Sequence, residues 1–277
     1  MRFLDSNLLN PQALHEAKLT LMRQNSPIVR SIYGKEAVRD MEEMNDILNL
    51  RYEVYCKEAC FISKDLFADC KEVDQYDANS IHIASYNHDD FILGTVRLVR
   101  PLPGQNYPFQ NHCKTFQFIR PPARDETAEI SRLIITKKLR GRRNDSLQGI
   151  LTKQVETEEE FNSNLAGPQI SGNEMILLSM FREMYKISKT NGIRYWYATM
   201  EKGLARQLTR MGFEFISIGR QADYYGAVTP YIADLQELEF NLRKGKRELW
   251  EWFNETHIKS NGKMTLVSGT GPKPIET

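Results

Sequence analysis

Residues 129–146 read EISRLIITKKLRGRRNDS, and this stretch decides the fold. Its first part, residues 130–135, is apolar and rich in β-branched side chains, as is typical of a buried strand. Residues 137–143 then carry five basic side chains in seven, and the three residues at 144–146 are all suitable helix N-caps. A strand, a basic turn and a helix N-terminus together predict an anion site, because free backbone N–H groups and the helix dipole favour negative charge there. The alternative is a solvated basic loop.

The overall composition restricts the classes of partner. The chain has 277 residues, 41% of them hydrophobic, which is enough for a single core. The net charge is only +1, so the chain lacks the general basic excess of a nucleic-acid binder. Basic residues gather at 137–143 and again at 243–247, and acidic residues at 156–160. These local patches favour a phosphorylated ligand or an acidic protein partner, and no nucleic acid.

Targeting signals and metal motifs are not evident. No apolar run approaches the roughly 18 residues that cross a bilayer, and the N-terminus lacks a signal-peptide core. We therefore expect a cytoplasmic protein without a transmembrane segment. Cys56, Cys60 and Cys70 form no C-x-x-C pair, so no metal site is expected.

Periodicity predicts an α+β protein built around a mixed sheet. The expected elements are a helix in 36–60, a strand hairpin at 81–86 and 91–99, the strand and helix of the opening stretch, a helix at 174–188, a strand at 193–200, a helix at 202–211, strands at 213–218 and 231–240, and a helix at 249–253. Gly94 interrupts the second hairpin strand, which indicates a bulge or a close backbone approach.

Three carboxylates lie within six residues, at Glu72, Asp74 and Asp77. They cannot all occupy dry surroundings without a cation or a shared proton. The alternative is an acidic surface loop.

Two further groups of residues are candidates for chemistry. Arg51 and Tyr55 are four residues apart on one helix face, where alone they would be a surface cation beside a half-buried ring. In the central strand, alternation places Glu129 and Ser131 on one face and Arg132 on the other.

This order of elements resembles the GNAT N-acyltransferase fold, a three-layer α/β/α arrangement with a mixed, mostly antiparallel twisted sheet. A more specific series across residues 51–132 looks like the signature of the autoinducer (acyl-homoserine-lactone) synthases. It comprises Arg51, Tyr55, Phe61, Glu72, Asp74, Asp77, Gly94-Thr95-Val96-Arg97-Leu98 and Glu129-Ile130-Ser131-Arg132. The spacing agrees closely apart from a small insertion between Phe61 and Glu72, and the similarity covers about residues 40–240.

Some features depart from that signature. Tyr55 stands where those synthases usually have phenylalanine, and Phe61 where they have tryptophan, which puts S-adenosylmethionine as the acceptor in doubt. The chain is also longer, with an N-terminal extension and the segment GAVTPY at 226–231. In these respects it is closer to the N-acyl amino acid synthases and the exosortase (PEP-CTERM) system-associated acyltransferases.

The resemblance implies transfer of a fatty acyl group from an acyl carrier protein or acyl-CoA thioester to the amine of an amino acid or a derivative, by direct attack. Glu72 is the first candidate base and Glu129 the second, with Asp74 beside them. The implied acceptor and electrostatic cluster is Arg51, Tyr55, Phe61, Asp77, Arg97, Ser131 and Arg132. The implied phosphopantetheine and carrier-binding set is Arg140, Gly141, Arg142, Arg143, Asn144 and Ser146. No tightly bound cofactor or metal is expected; the carrier protein would be a transient partner and acyl-phosphopantetheine a co-substrate.

The expected domain organisation is an N-terminal extension at 1–35, a single GNAT-like domain at 36–256 and a disordered tail at 257–277. Three other functions remain open: an autoinducer synthase using S-adenosylmethionine, a short-chain acyl-CoA acetyltransferase, and a catalytically silent ligand-sensing module. Five residues could line a tunnel for a long acyl chain or could equally be core: Phe116, Phe118, Met180, Met184 and Trp196.

Overall fold

A computed structural model describes residues 11–34, 41–117, 120–136 and 172–255. The basic turn at 137–143, the predicted N-caps at 144–146, Phe118 and the tail at 257–277 lie outside these ranges. The predictions made for them therefore stay predictions.

One mixed sheet forms the centre of the molecule. Its strands are β1 Ile28–Tyr33, β2 Ser80–Tyr86, β3 Ile92–Val99, β4 Thr127–Ile135, β5 Tyr195–Met200, β6 Ile216–Ser217, β7 Ala222–Asp223 and β8 Ala227–Asp234. The spatial order is β1-β2-β3-β4-β5-β8-β6, with β7 also paired to β8. The β4–β5 pair is parallel and the other pairs are antiparallel.

Helices lie on both faces of this sheet. They are α1 Pro11–Gln24, α2 Met41–Tyr52, α3 Gly172–Thr190, α4 Lys202–Arg210, α5 Leu235–Gly245 and α6 Arg247–Asn254, and a π-helical turn, Glu53–Glu58, continues α2. Alternation along β2 explains the two faces. Ile81 and Ile83 point into the main core under α3, whereas Ala84 and Tyr86 pack with Ile47 of α2. The predicted fold class, α+β in three layers, is confirmed.

The methionine-rich face of α3 is core. Met180 and Met184 are fully buried, and Phe181 packs edge-on against Trp196, whose indole N–H donates to Ser188. The structure therefore places Met180, Met184 and Trp196 in the core rather than along a tunnel.

Residues 11–34 join the same unit. β1 pairs with β2 along its whole length, and Leu19 and Met22 of α1 enter the main core. His15 and Lys18 contact Glu251 and Glu248 of α6, respectively. Sequence reasoning did not predict β1, because an edge strand that is only partly buried shows weak alternation.

Two predicted strands differ from the structure. The expected strand at 231–240 is wrong, because β8 ends at Asp234, whose carboxylate caps α5 by accepting from the Gln236 N–H at 2.9 Å. Leu235, Leu238 and Leu242 are then buried at helical spacing. The strand expected at 213–218 is reduced to Ile216–Ser217.

The parallel strands β4 and β5 separate at their C-terminal ends. Their pairing runs from Thr127 opposite Tyr195 to Ile130 opposite Ala198, while β4 continues to Ile135 and β5 to Met200. On its other side β4 stays paired with β3, where a Cβ on Gly94 would lie 2.7 Å from the Ile134 carbonyl oxygen. The close backbone approach predicted at Gly94 is confirmed, and the divergence from β5 opens a cleft.

Candidate active site

Arg51 lies at the end of α2 and is completely buried. Its Nε donates to Glu72, and its Nη1 and Nη2 donate to the two carboxylate oxygens of Asp77 at 2.7 and 3.2 Å. The acidic segment folds over the helix end, held by the Glu72 N–H donating to the Leu48 carbonyl at 3.2 Å. The alternatives of a surface cation and of an acidic surface loop therefore do not hold, since each group buries the other.

Arg97 reaches the same carboxylates from β3. Its Nη1 donates to Asp74 and to Asp77, both at 2.6 Å, and its Nη2 donates to Asp74 at 2.9 Å. Its Nε donates to Ser131 Oγ on the neighbouring strand at 3.0 Å. All three nitrogens of this guanidinium are thus engaged.

Arg132 comes to this face through a β-bulge. Arg97 pairs with Ser131 but Thr95 pairs with Ile134, so β4 has one extra residue between these pairs, and Arg132 has a φ of 53°. Alternation predicted that Arg132 and Ser131 lie on opposite faces, and this is wrong because the bulge interrupts the period of two. The Arg132 guanidinium donates to Glu72 at 2.8 and 3.1 Å and to Asp74 at 3.1 Å.

These six side chains form a closed alternating circuit, the ion ring. Its order is Arg51, Glu72, Arg132, Asp74, Arg97, Asp77 and back to Arg51. Each carboxylate contacts two guanidiniums, so the formal charges cancel. Burial alone would raise the pKa of Glu72, but Arg51 and Arg132 outweigh that effect and lower it to about 2. The pKa of Asp77 is lowered in the same way against the effect of burial.

Glu129 has the opposite electrostatic environment. It is 1% exposed and accepts the Phe109 N–H at 3.1 Å, but makes no contact with the ion ring at salt-bridge distance. Burial is the main effect and raises the pKa of Glu129 to about 8, although the Phe109 N–H, Arg97 and Arg132 act in the other direction. A carboxyl group that titrates near neutral pH can accept and return protons.

Glu129 lines the cleft between the diverging strands. This cleft opens to solvent. Its polar or aromatic lining includes Tyr55, Phe61, Glu129, Ser131, Arg132, Tyr224 and Tyr225, and its apolar lining includes Phe181, Met200, Leu204, Leu208, Phe215 and Val228. The cleft therefore joins a titratable carboxyl to a largely hydrocarbon wall.

Three aromatic side chains, Tyr55, Phe61 and Tyr225, form an aromatic trio on this cleft. Their ring centroids are 5.9 to 6.4 Å apart. The Arg132 guanidinium lies over Tyr55 at 5.1 Å and over Tyr225 at 5.5 Å. Arg132 is therefore held by two carboxylates and two rings, which is a structural role and leaves little capacity for a substrate.

Sequence reasoning missed Tyr224, Tyr225 and the Phe109 N–H. Tyr225 has a φ of 55° and Gly226 a φ of 102°, so a tight turn brings both tyrosines to the cleft. In the sequence, the tyrosine pair directly before a glycine is the feature that could have indicated this turn. The residues predicted at the active site from Arg51 to Arg132 do meet at one place, whereas Arg140, Gly141, Arg142, Arg143, Asn144 and Ser146 lie outside the described residues.

The described residues offer neither a metal-ion cluster nor a membrane-spanning helix. No group of three or more His, Cys, Asp or Glu side chains there could hold a metal ion. No helix in the same ranges is long and apolar enough to cross a membrane.

A central sheet with diverging parallel strands, a bulged β4 and helices on both faces defines the GNAT N-acyltransferase fold. A family model described as an acetyltransferase (GNAT) domain matches residues 50–148. No curated protein sequence matches the chain.

Solved structures with the same fold include acyl-homoserine lactone synthases. The CoA-dependent synthase BjaI, solved with SAM and isopentyl-CoA, is 16% identical with a TM-score of 0.51, covering 79% of this chain and 89% of that one. The AHL synthase LasI gives the same identity and TM-score and covers 79% of this chain and 95% of that one. The CoA-dependent synthase MesI is 14% identical with a TM-score of 0.51, covering 78% and 94%. At these identities the similarity establishes the fold.

Proposed function

We propose that this protein is an N-acyltransferase that moves a fatty acyl group from a phosphopantetheine thioester to an amine by direct attack. The observation that carries the proposal is Glu129, a buried carboxyl with a raised pKa at the point where β4 and β5 diverge. An amine nucleophile must lose a proton, and Glu129 lies in the cleft where that proton would be released.

The pKa values favour Glu129 over Glu72 as the general base. An unperturbed α-amino group has a pKa of about 7.7–8, so proton transfer to a carboxylate with a pKa of about 8 is nearly balanced. Glu72, with a pKa of about 2 and two arginine partners, is a weak base and is also blocked. We therefore assign Glu72, Asp74 and Asp77 to the ion ring, which fixes Arg97 and Arg132 beside the cleft.

The wall of the cleft favours a fatty acyl chain over an acetyl group. Leu204 and Leu208 of α4, Phe215 and Val228 provide an apolar surface that an acetyl group would leave uncovered. Backbone N–H groups at the Arg132 bulge are suitable donors to the thioester oxygen. The donor would be an acyl carrier protein or acyl-CoA, with the predicted arginines at 140, 142 and 143 holding its phosphate.

The acceptor amine is an amino acid or an amino-acid derivative in this proposal. The aromatic trio also favours a second candidate, a cationic acceptor such as S-adenosylmethionine, because aromatic faces attract cations. That reaction would make an acyl-homoserine lactone.

The test supplies the full-length protein with thioesters from acetyl to palmitoyl, on CoA and on acyl carrier protein, together with the common amino acids and S-adenosylmethionine. Mass spectrometry of the products names both substrates, and extracts of overproducing cells provide an independent sample. We expect an N-acylated amino acid carrying a medium or long chain. Product from acetyl-CoA alone would contradict the fatty-acyl assignment, and no product from any pair would support the silent sensing module.

A further inference from the structure

We propose that Ser131 is a catalytic residue: its hydroxyl donates a hydrogen bond to the thioester oxygen as that oxygen becomes negative. The inference rests on the proposed acyl transfer and adds a named side-chain donor to it. Three observations carry it, namely the orientation of the hydroxyl, its place in the cleft and the fixed charge behind it.

The orientation follows from Arg97. The Arg97 Nε–H donates to Ser131 Oγ at 3.0 Å, so one lone pair of that oxygen is occupied. Arg97 cannot turn away, because its other two nitrogens are bound to Asp74 and Asp77. The hydroxyl hydrogen must therefore point away from the guanidinium, and within the described parts of the chain no acceptor is found for it.

The position of Ser131 is also suitable. Ile130 forms the last β4 pair with β5, opposite Ala198, so Ser131 is the first β4 residue beyond the divergence. It lines the cleft, is partly exposed and lies two residues after Glu129. A thioester in the cleft would pass this hydroxyl on its way to the base.

The charge behind Ser131 strengthens the donor. A hydroxyl that accepts from a buried guanidinium is polarised, and its own hydrogen becomes a better donor. Arg132 is closer in sequence to the bulge, but its Nε and Nη2 donate to Glu72 and Asp74 and its guanidinium lies over two aromatic rings. The positive charge of Arg97 thus strengthens the Ser131 hydroxyl as a hydrogen-bond donor in the cleft, while the guanidinium itself stays buried.

The chemistry balances without a further reactant. The acceptor nitrogen attacks the carbonyl carbon, and the carbonyl π electrons move to the oxygen, which Ser131 stabilises by a hydrogen bond without proton transfer. Glu129 takes the proton released from nitrogen. When the carbonyl re-forms, the carbon–sulfur bond breaks, and Glu129 returns the proton to the thiolate.

Ser131→Ala tests this role. We expect its kcat to fall on the order of 10²-fold, with KM for both substrates within about threefold. Ser131→Thr keeps a hydroxyl and should recover most of the activity. Ser31→Ala is the matched control, because Ser31 is also a partly buried strand serine with one side-chain hydrogen bond, to Glu183, but lies in β1 away from the cleft.

Two acyl-CoA analogues separate an oxyanion donor from a structural serine. A fluorinated ketone analogue hydrates to a tetrahedral centre with an oxygen in place, whereas a thioether analogue has no carbonyl oxygen. By calorimetry, Ser131→Ala should bind the ketone at least tenfold more weakly than wild type and bind the thioether equally well. Equal loss for both analogues, or an unchanged kcat, would overturn the inference while leaving acyl transfer standing. Failure of wild type to bind either analogue, whether carried on CoA or on acyl carrier protein, would overturn the proposed function as well.

Discussion

Glu72 and Glu129 are both glutamates, each 1% exposed and both beside the sheet centre. Their pKa values are nevertheless shifted in opposite directions. Glu72 contacts two guanidiniums and has a pKa of about 2. Glu129 accepts one backbone N–H and has a pKa of about 8. Burial disfavours ionisation at both positions, so the number of direct cationic partners decides the outcome.

The same contrast divides the site by role. Charges in the ion ring cancel and each of its carboxylates contacts two guanidiniums, which supports the structural role proposed for the ring. Glu129 is left uncompensated, so it can change protonation state at the pH at which amines titrate. The ion ring and the proposed base are therefore adjacent but electrostatically distinct.

The largest expected effect is the loss of catalysis when Glu129, which has no direct cationic partner, is replaced. Glu129→Gln should lower kcat by about 10²–10⁴-fold, because it removes the base while keeping the size of the side chain. Steady-state kinetics on the thioester and amine pair measures it. Glu126→Gln, an exposed acid in the turn just before β4, is the control. A Glu129→Gln enzyme within threefold of wild type would end the assignment of the base.

The next largest expected effect is a loss of folding stability when Glu72, which contacts two guanidiniums, is replaced. Glu72→Gln leaves Arg51 and Arg132 short of a buried counter-ion and should cost about 3–5 kcal/mol of unfolding free energy. Urea denaturation measures it. The control Glu53→Gln breaks an exposed pair with Lys57 and should cost no more than about 0.5 kcal/mol. Equal costs at the two positions would remove the distinction between the ion ring and a surface pair.

The pH dependence of activity sharpens the comparison. With a weakly basic amine that stays neutral, kcat/KM should rise about tenfold per pH unit below about pH 8 and level off above it, as Glu129 ionises. A rate that is level from pH 5 to 9 would indicate a base with a low pKa, such as Glu72.

Glu72 and Glu129 should make the free energy of unfolding depend on pH in opposite directions. The contribution of Glu72, whose folded pKa is lowered, is present above about pH 4.5 and lost as the pH falls toward about 2. Burial lowers the pKa of His82 to about 4, so its contribution to stability is lost as the pH falls from about 6.5 to 4. Glu129 has a raised folded pKa, so its contribution is lost as the pH rises from about 4.5 to 8, by at most about 1.4 kcal/mol per pH unit.

Unfolding free energies measured from pH 3 to 9 test these signs. Glu129→Gln should flatten the decline between about pH 4.5 and 8 and leave the loss of stability below about pH 4.5 unchanged. An unaltered decline between about pH 4.5 and 8 would show that Glu129 does not titrate in this range.

The smallest expected effect concerns the aromatic trio. Tyr225→Leu removes one of the two rings over Arg132 and one wall of the acceptor side, and should raise KM for the amine a few-fold, with kcat nearly unchanged. Tyr55→Phe keeps its ring and serves as the comparison. A larger change for Tyr55→Phe than for Tyr225→Leu would show that the hydroxyl matters more than the aromatic face.

The sequence determined the components of the site. The resemblance of Arg51, Glu72, Asp74, Asp77, Arg97 and Arg132 to the charged set of the autoinducer synthases implied that these groups meet. From the residues alone, three carboxylates in six residues indicated only that cations are required when they are buried. It also determined the order of the central elements, because β2, β3, β4, α3 and α4 all have clear periodicity.

Contacts made in the folded chain set which of these residues join the ion ring and which one faces the cleft without a cation. The bulge at Arg132 overrides the alternation of β4, and the N–H that holds Glu129 comes from Phe109, twenty residues earlier in the chain. The sequence does not indicate whether a given carboxylate will contact a guanidinium or a backbone amide. Contacts between distant segments determine that partner, and the partner determines whether the pKa of the carboxylate is lowered or raised.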